Sequence, residues 1–361
     1  MLYLKNYEFI NLHYKNLKVL VTGSTGFKGS WLCYWLNEIG AKVVGVSLRP
    51  EKNSILYKSL DLKNKITQYF ENINDFENLN QIIKKEKPVI IFHLAAQSII
   101  SESVFNPLET IKTNILGSAN LLASFYGNSA EALVYCTSDK CYENNEWIWG
   151  YRENDIIGGS DPYSASKACA EIIFKSFNKT YYTKKNAYKN FGSVRSGNVI
   201  GGGDFKTDRI IPDIIRSIIF KKQLIIKNPK SIRPWLHVLD TLSGYLLLGT
   251  FLLSRKKNFK YPHWNFGPNI EKFFSVKYLL NKVEKYWNCK LNVKFANKNK
   301  IYESKFLLLN NEKAKLELGW KPKLDIEKAL DLTNEWYYTY HTNKKSITNL
   351  TSSQIEYYTK L

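Results

Sequence analysis

The chain has 361 residues, 44% hydrophobic, 14% aromatic and 23% charged, the composition of a soluble globular protein with room for one large domain or two moderate ones. No apolar run approaches the roughly 20 residues of a bilayer-spanning helix, and the opening MLYLKNYEFINLHYKN mixes charge and Asn into its apolar residues, so it reads as a short arm and not a signal peptide. The net charge of +20 comes from scattered lysines, with no basic block interleaved with aromatics, so no nucleic acid is expected and an anionic small substrate accounts for local basic residues equally well.

In chain order, KVLVT (18–22) is a short buried strand that stops at GSTGFKG. Trp31, Leu32, Trp35, Leu36 and Ile39 then recur at helical spacing up to Gly40, and KVVGVSL (42–48) is a second strand. Strand, glycine turn, helix, strand is a βαβ unit with parallel pairing. The alternation continues with a strand at 88–96, a helix at 110–127, a strand at 132–138, a helix at 164–179 and a strand at 193–201. Repeated units of this kind predict an α/β fold with a doubly wound parallel sheet. Past residue 200 the pieces shorten and turns multiply, which suits a smaller α/β domain over the carboxyl edge of the sheet. The expected division is 15–200 for dinucleotide binding, with a return segment near 234–265, then 201–345 for the substrate, and a polar tail or docking arm over 346–361.

Cys33, Cys136, Cys141, Cys169 and Cys289 form no C-x-x-C pair and show no metal-ligand spacing. Scattered and odd in number, they suit free thiols in a cytoplasmic protein, with no metal expected.

Gly23, Gly26 and Gly29 form G-x-x-G-x-x-G between a strand and a helix. Glycine there lets the backbone turn tightly and approach a pyrophosphate, and the helix N-terminus supplies N–H donors. The acidic residue that usually ends the second strand is missing; SLRP places Arg49 there, which leaves NAD and NADP open on the residues alone. Further on, Tyr163 and Lys167 stand four apart, on one face of a helix, and Ser138, Asp139 and Lys140 close the strand 132–138.

The spacing of the glycines, the Tyr-x-x-x-Lys pair and the segments TGFKGSWL, FHLAAQ, TNILGS, TSDKCY, WIWGYREN, DPYSASK, VRSGNVIGGGDF, DRIIPDIIRS, IRPWLHVL, WNFGP and KLELGWKP together resemble the extended short-chain dehydrogenase/reductases. Within them the resemblance is to the nucleotide-sugar 4,6-dehydratases that act on CDP-glucose, and it spans almost the whole chain. It implies NAD, a CDP-glucose substrate, C4 oxidation assisted by Ser138, Tyr163 and Lys167, and water loss across C5 and C6. Lys167 is expected to lower the Tyr163 pKa toward neutrality. Asp139 would be the acid at O6 and Lys140 the base at C5, requirements that agree when the acid holds its proton.

The resemblance further implies that Phe27 with the three glycines, Asn72 and Ile73 at the adenine, Ala95, Ala96 and Gln97, and Tyr163 with Lys167 hold the cofactor. Asn198, Asp204, Arg209, Arg233 and Tyr302 are the implied substrate contacts, with Arg233 on the pyrophosphate. A homodimer through helices 110–127 and 164–179 is implied too, as is a deoxysugar product for cell-surface polysaccharide such as O-antigen. Two other readings stay open on the sequence: a dehydratase or 4-epimerase for another nucleotide sugar, and a non-catalytic dinucleotide-binding protein on the same scaffold.

Overall fold

The computed structural model describes residues 6–182, 190–254, 261–269, 273–296 and 304–361. Its centre is a seven-stranded sheet. The strands in chain order are β1 (Lys18–Thr22), β2 (Lys42–Ser47), β3 (Thr67–Phe70), β4 (Ile90–His93), β5 (Ala132–Cys136), β6 (Asn190–Ser196), β7 (Val199–Ile200), β8 (Leu224–Ile226), β9 (Leu236–His237), β10 (His263–Phe266) and β11 (Val293–Phe295). The main sheet runs β10-β6-β5-β4-β1-β2-β3 and every pairing is parallel. β1, β4 and β5 are apolar runs buried along almost their whole length, as strands covered on both faces must be. The chain winds outward from β1 to β3, then returns to β4 on the other side of β1. That reversal opens the crevice at the carboxyl edge where doubly wound sheets bind ligands.

From residue 199 on, the chain builds two small parallel pairs, β7 with β9 and β8 with β11. β10 rejoins the main sheet beside β6, and the helix Val238–Leu253 behind it is buried along nearly its whole length. The helix expected at 110–127 runs Pro107–Gly127 through a π-helical turn at Lys112–Leu116, and the one expected at 164–179 covers Pro162–Phe177.

The stretch 346–361, expected as a polar tail or docking arm, is docked. Ile347–Lys360 is a helix, with Ile347, Thr351, Gln354, Ile355 and Tyr358 buried. It packs on the Phe27–Glu38 helix, where Tyr34 Oη lies 2.6 Å from Ser352 Oγ and the Trp35 and Tyr358 rings meet edge-on. Tyr358 Oη donates to Asp240 Oδ1 at 2.7 Å, tying the helix into the core. This is why Gly29 to Leu36 are buried all round and not on one face only. The N-terminal arm, in turn, contains the helix Asn6–Tyr14, anchored by buried Ile10 and by Tyr14 Oη, which donates to Leu246 O at 2.8 Å.

Candidate active site

The glycine turn closes on itself. Gly23 has φ +74°, its N–H donates to Val46 O at 2.8 Å, and a Cβ there would stand 2.8 Å from Ala95 N. A Cβ on Gly29 would collide with the Gly23 carbonyl. Both positions therefore require glycine. The Phe27–Glu38 helix then opens at Gly26 with no side-chain cap, so no capping side chain occupies its first N–H groups. Beside it Ala95 N–H donates to Thr22 Oγ1 at 3.2 Å, and Ala96 is half-buried. Gln97 is tied down: its N–H donates to Asn114 Oδ1 at 2.9 Å and its Nε2 to Thr110 Oγ1 at 2.8 Å. Asn114 Nδ2 also donates to Ser166 Oγ at 2.9 Å, joining this loop to the Tyr163 helix.

At the far end Asn72 Oδ1 accepts from Asn74 N–H at 3.0 Å, and Ile73 is buried against Gly117. Arg49 lies over the Phe70 ring, 5.4 Å from its centroid. It lines a cavity of about 490 Å³ with Tyr57, Lys58, Asp61 and Lys63.

Ser138 is fixed by the sheet. Thr137 N–H donates to Val194 O at 2.9 Å, carrying the β5–β6 pairing one residue past Cys136. Ser138 is extended and caps the short 3₁₀ turn Asp139–Cys141, accepting from Lys140 N–H at 3.2 Å and donating to Asp139 Oδ1 at 2.9 Å. Lys140 Nζ lies 3.5 Å from Asp139 Oδ2, with the carboxylate buried and the lysine half-buried. Across from this turn, Asp161 caps the Pro162–Phe177 helix by accepting from Ser164 N–H at 2.9 Å, and Pro162 begins it. The cap sets Tyr163 in the first turn and Lys167 one turn on, both buried, with Nζ 5.9 Å from the Tyr163 ring centroid.

The electrostatics depart from expectation at Tyr163. Burial pushes its hydroxyl up to about 12; the hydrogen bond with Ser138 pulls down and Asp139 pushes up. Lys167 is itself brought down to about 8, first by burial and then by the ammonium of Lys28. In this structure the phenol is therefore harder to ionise than a free tyrosine.

Among the expected substrate residues, Arg209 Nη1 donates to Asp204 Oδ2 at 2.7 Å and its Nη2 to Ser98 Oγ at 2.7 Å. Arg233 is buried and donates to Ile232 O at 2.8 Å and Ser304 O at 2.7 Å, so it braces the loop beside it. Asn198 accepts from Leu236 N–H through its main-chain oxygen at 3.0 Å. Tyr302 lies outside the described residues.

Sequence reasoning missed the support beneath Ser138. Glu171 and Arg195 are both buried and meet at 2.7 Å. Glu171 also accepts from Thr137 Oγ1 and, at 3.0 Å, from Ser193 Oγ, while Arg195 Nη1 donates to Tyr142 Oη at 2.8 Å. A lone Glu in the apolar run ACAEIIF, four residues after Lys167, was the available signal.

Comparison with known proteins agrees with this architecture. The family model described as GDP-mannose 4,6 dehydratase matches residues 20–333. A CDP-glucose 4,6-dehydratase of Salmonella typhimurium strain LT2 is 42% identical over 326 residues, 89% of this chain and 90% of that one. The fold is that of a Thermotoga maritima UDP-glucose 4-epimerase with UDP-glucose (TM-score 0.78, 23% identity, 91% of this chain and 100% of that one). It is equally that of a Bacillus anthracis dTDP-glucose 4,6-dehydratase in complex with NAD (TM-score 0.75, 22% identity, 92% of this chain and 99% of that one). Sequence and fold converge, and the chain belongs to the GDP-mannose 4,6 dehydratase family of extended short-chain dehydrogenase/reductases.

Proposed function

We propose that this protein dehydrates CDP-glucose to CDP-4-keto-6-deoxyglucose with NAD as its resident cofactor. The CDP base is supported by the 42% identity to a CDP-glucose 4,6-dehydratase and by no single residue. The observation that carries the chemistry is the Asp139–Lys140 pair, an acid and an amine 3.5 Å apart at the end of β5, beside Ser138.

The residues fit the cofactor. The Cβ-free cradle at Gly23 and Gly29 and the uncapped helix suit a pyrophosphate, held by Gly23, Gly26, Phe27 and Gly29. Asn72 and Ile73 would take the adenine, Ala95 to Gln97 the middle, and Tyr163 with Lys167 the nicotinamide ribose. When bound, NAD would supply the acceptor for the hydride from sugar C4 and the source of the hydride returned to C6, and its positive charge would make Tyr163 easier to ionise.

Tyr163 takes the O4 proton, with Ser138 orienting that hydroxyl. The C4 ketone acidifies C5–H; Lys140 takes that proton, Asp139 protonates the departing O6, and water leaves. Lys140 then gives its proton back to C5. Tyr163 has gained one proton and Asp139 has lost one, and Ser138, hydrogen-bonded to both, is placed to pass it between them. Arg209 and Arg233 would meet the substrate's phosphates, with Asn198, Asp204 and Tyr302 beside the sugar.

We assign residues 15–200, with the return near 234–265, to the dinucleotide and 201–345 mainly to the nucleotide sugar. The free cysteines support a cytoplasmic enzyme, and the deoxysugar suits cell-surface polysaccharide such as O-antigen. Exposed Phe105, Leu108, Ile111, Leu116 and Ile172 on the Ile100–Gly127 stretch and the Pro162–Phe177 helix support a homodimer through these helices.

The test offers CDP-, dTDP-, UDP- and GDP-glucose and follows product mass in wild type and Lys140→Ala. Loss of one water from CDP-glucose alone, abolished in the variant, is expected. A C4 epimer without mass loss, or equal turnover of all four sugars, would refute the proposal.

A further inference from the structure

The loop 201–204, which ends on the Arg209 partner Asp204, lies flat against the C-terminal helices. A Cβ on Gly202 would stand 2.0 Å from Trp336 Cγ, and Trp31 Nε1 of the Phe27–Glu38 helix donates to Gly202 O at 2.9 Å. Gly203 takes φ +88° at the bend into Asp204. Trp336 and Tyr337 are wholly buried neighbours on the Ile326–Thr342 helix. Trp336 Nε1 donates to Thr351 Oγ1 on the Ile347–Lys360 helix at 3.1 Å, and its ring stacks on Tyr340. Tyr337 packs edge-on against Phe205, with 5.4 Å between centroids, and its Oη donates to the main-chain oxygen of Asp204. The proton and hydride steps use none of these aromatic residues.

Asp204 passes this hold on. Its buried carboxylate accepts from Arg209 Nη1 at 2.7 Å, and the half-buried guanidinium donates through Nη2 to Ser98 Oγ at 2.7 Å. The two bonds differ in strength, because an ionised carboxylate holds a guanidinium more firmly than a neutral hydroxyl does. A phosphate oxygen can therefore displace Ser98 while Asp204 stays in place. Tyr163 and Tyr337 both act electrostatically on Arg209, which sets it between the reacting edge and the C-terminal helices. We propose that Tyr337 is a positioning residue for substrate binding: through Asp204 it holds Arg209 at the crevice with Nη2 ready to exchange Ser98 for a substrate phosphate. A long side chain already fixed in this way loses less freedom when the phosphate arrives. This rests on the nucleotide-sugar reading, with Arg209 at a phosphate. It also gives the Ile347–Lys360 helix a part in substrate affinity, exerted through Trp336 and the loop that lies on it.

The test measures two dissociation constants on full-length protein by titration calorimetry: CDP with NAD present, and NAD on cofactor-stripped protein. The proteins are wild type, Tyr337→Phe, Asp204→Asn and the double variant. Tyr337→Phe keeps the ring and removes the hydroxyl. It is expected to weaken CDP about fivefold, the order of one neutral hydrogen bond, and to leave NAD within about twofold of wild type. In the double variant CDP should bind no more weakly than in Asp204→Asn alone, because both substitutions act through one guanidinium. An unchanged CDP constant in Tyr337→Phe overturns the inference. So does an equal weakening of CDP and NAD, which would make Tyr337 a packing residue only, and so do losses that add in the double variant. Phe205→Leu loosens the same loop by a second route and should weaken CDP alone, so the question stays answerable if Tyr337→Phe fails to fold. Wild-type protein that does not bind CDP would overturn the nucleotide-sugar reading, and this inference with it.

Discussion

Replacing Glu171 by Gln would remove one charge from a pair whose carboxylate is fully buried and whose guanidinium is 1% exposed, with Nη2 and Oε2 2.7 Å apart. Burial alone would push the Glu171 carboxyl up; Arg195 and His263 outweigh it and hold the group well below the usual carboxylate range. Gln would present an amide to the guanidinium and leave Arg195 charged and buried. Breaking such a pair costs about 3–5 kcal/mol, which at roughly 2 °C per kcal/mol in a chain of this size lowers Tm by roughly 6–10 °C. The sign with pH follows from the lowered folded-state pKa. The stabilisation is complete above the unfolded carboxyl's value of 4.5 and is lost as pH falls below it, so the melts of the two proteins should converge in acid. Thr137 donates to the same carboxylate and carries Ser138, so kcat should fall too, on the order of tenfold or more, because misplacement by about 1 Å costs up to 10²-fold. Scanning calorimetry at pH 7 and pH 4 and steady-state kinetics check both halves. A variant that melts within about 2 °C of wild type at pH 7 would show that the pair does not hold this strand end.

Tyr163→Phe should lower kcat by about 10²–10⁴ in steady-state kinetics. In cofactor-free wild type the phenol, pushed up to about 12 by burial, should ionise later than ordinary tyrosines in an ultraviolet titration and earlier once NAD is bound; a titration that NAD leaves unmoved would count against the cofactor's charge acting on it. Leu108→Glu combined with Ile172→Glu should convert a dimer to a monomer by light scattering, because these side chains are 79% and 57% exposed in the single chain; an unchanged dimer mass would remove this face from the interface.

Much of this molecule could be read from contiguous residues because much of it is decided locally. The strand–turn–helix at 18–38 needs glycine wherever the backbone meets Ala95 or itself, and KVLVT must be a strand buried on both faces. TSDK stands at a strand end because five apolar residues precede it, and DPYSASK starts a helix because Asp161 caps it and Pro162 suits its first turn. What stayed hidden depends on which elements become neighbours. Glu171 and Arg195 are 24 residues apart and meet only because β6 lies beside β5 under the Tyr163 helix. The C-terminal residues looked polar because their apolar positions are few and helically spaced, and the Phe27–Glu38 helix was a ready partner for them.

The same distinction separates the two layers of charge in this site. Below the sheet edge, Arg195 and Glu171 pair with each other and hydrogen-bond their neighbours, which holds Thr137 and Ser138 in place. At the edge itself, Lys28, Lys140, Lys167 and Arg209 face Asp139 and Asp204, so cations outnumber carboxylates by two in this set (four against two). An edge left that positive is poorly matched to itself and well matched to a nucleotide diphosphate and to a phenolate that must form beside it. Burial raises the Tyr163 pKa in spite of that excess, because the cations that would offset it are partly engaged by Asp139 and Asp204. On this account the phenolate is scarce in the empty protein and forms when the cofactor's charge arrives, which ties proton abstraction to the presence of a hydride acceptor.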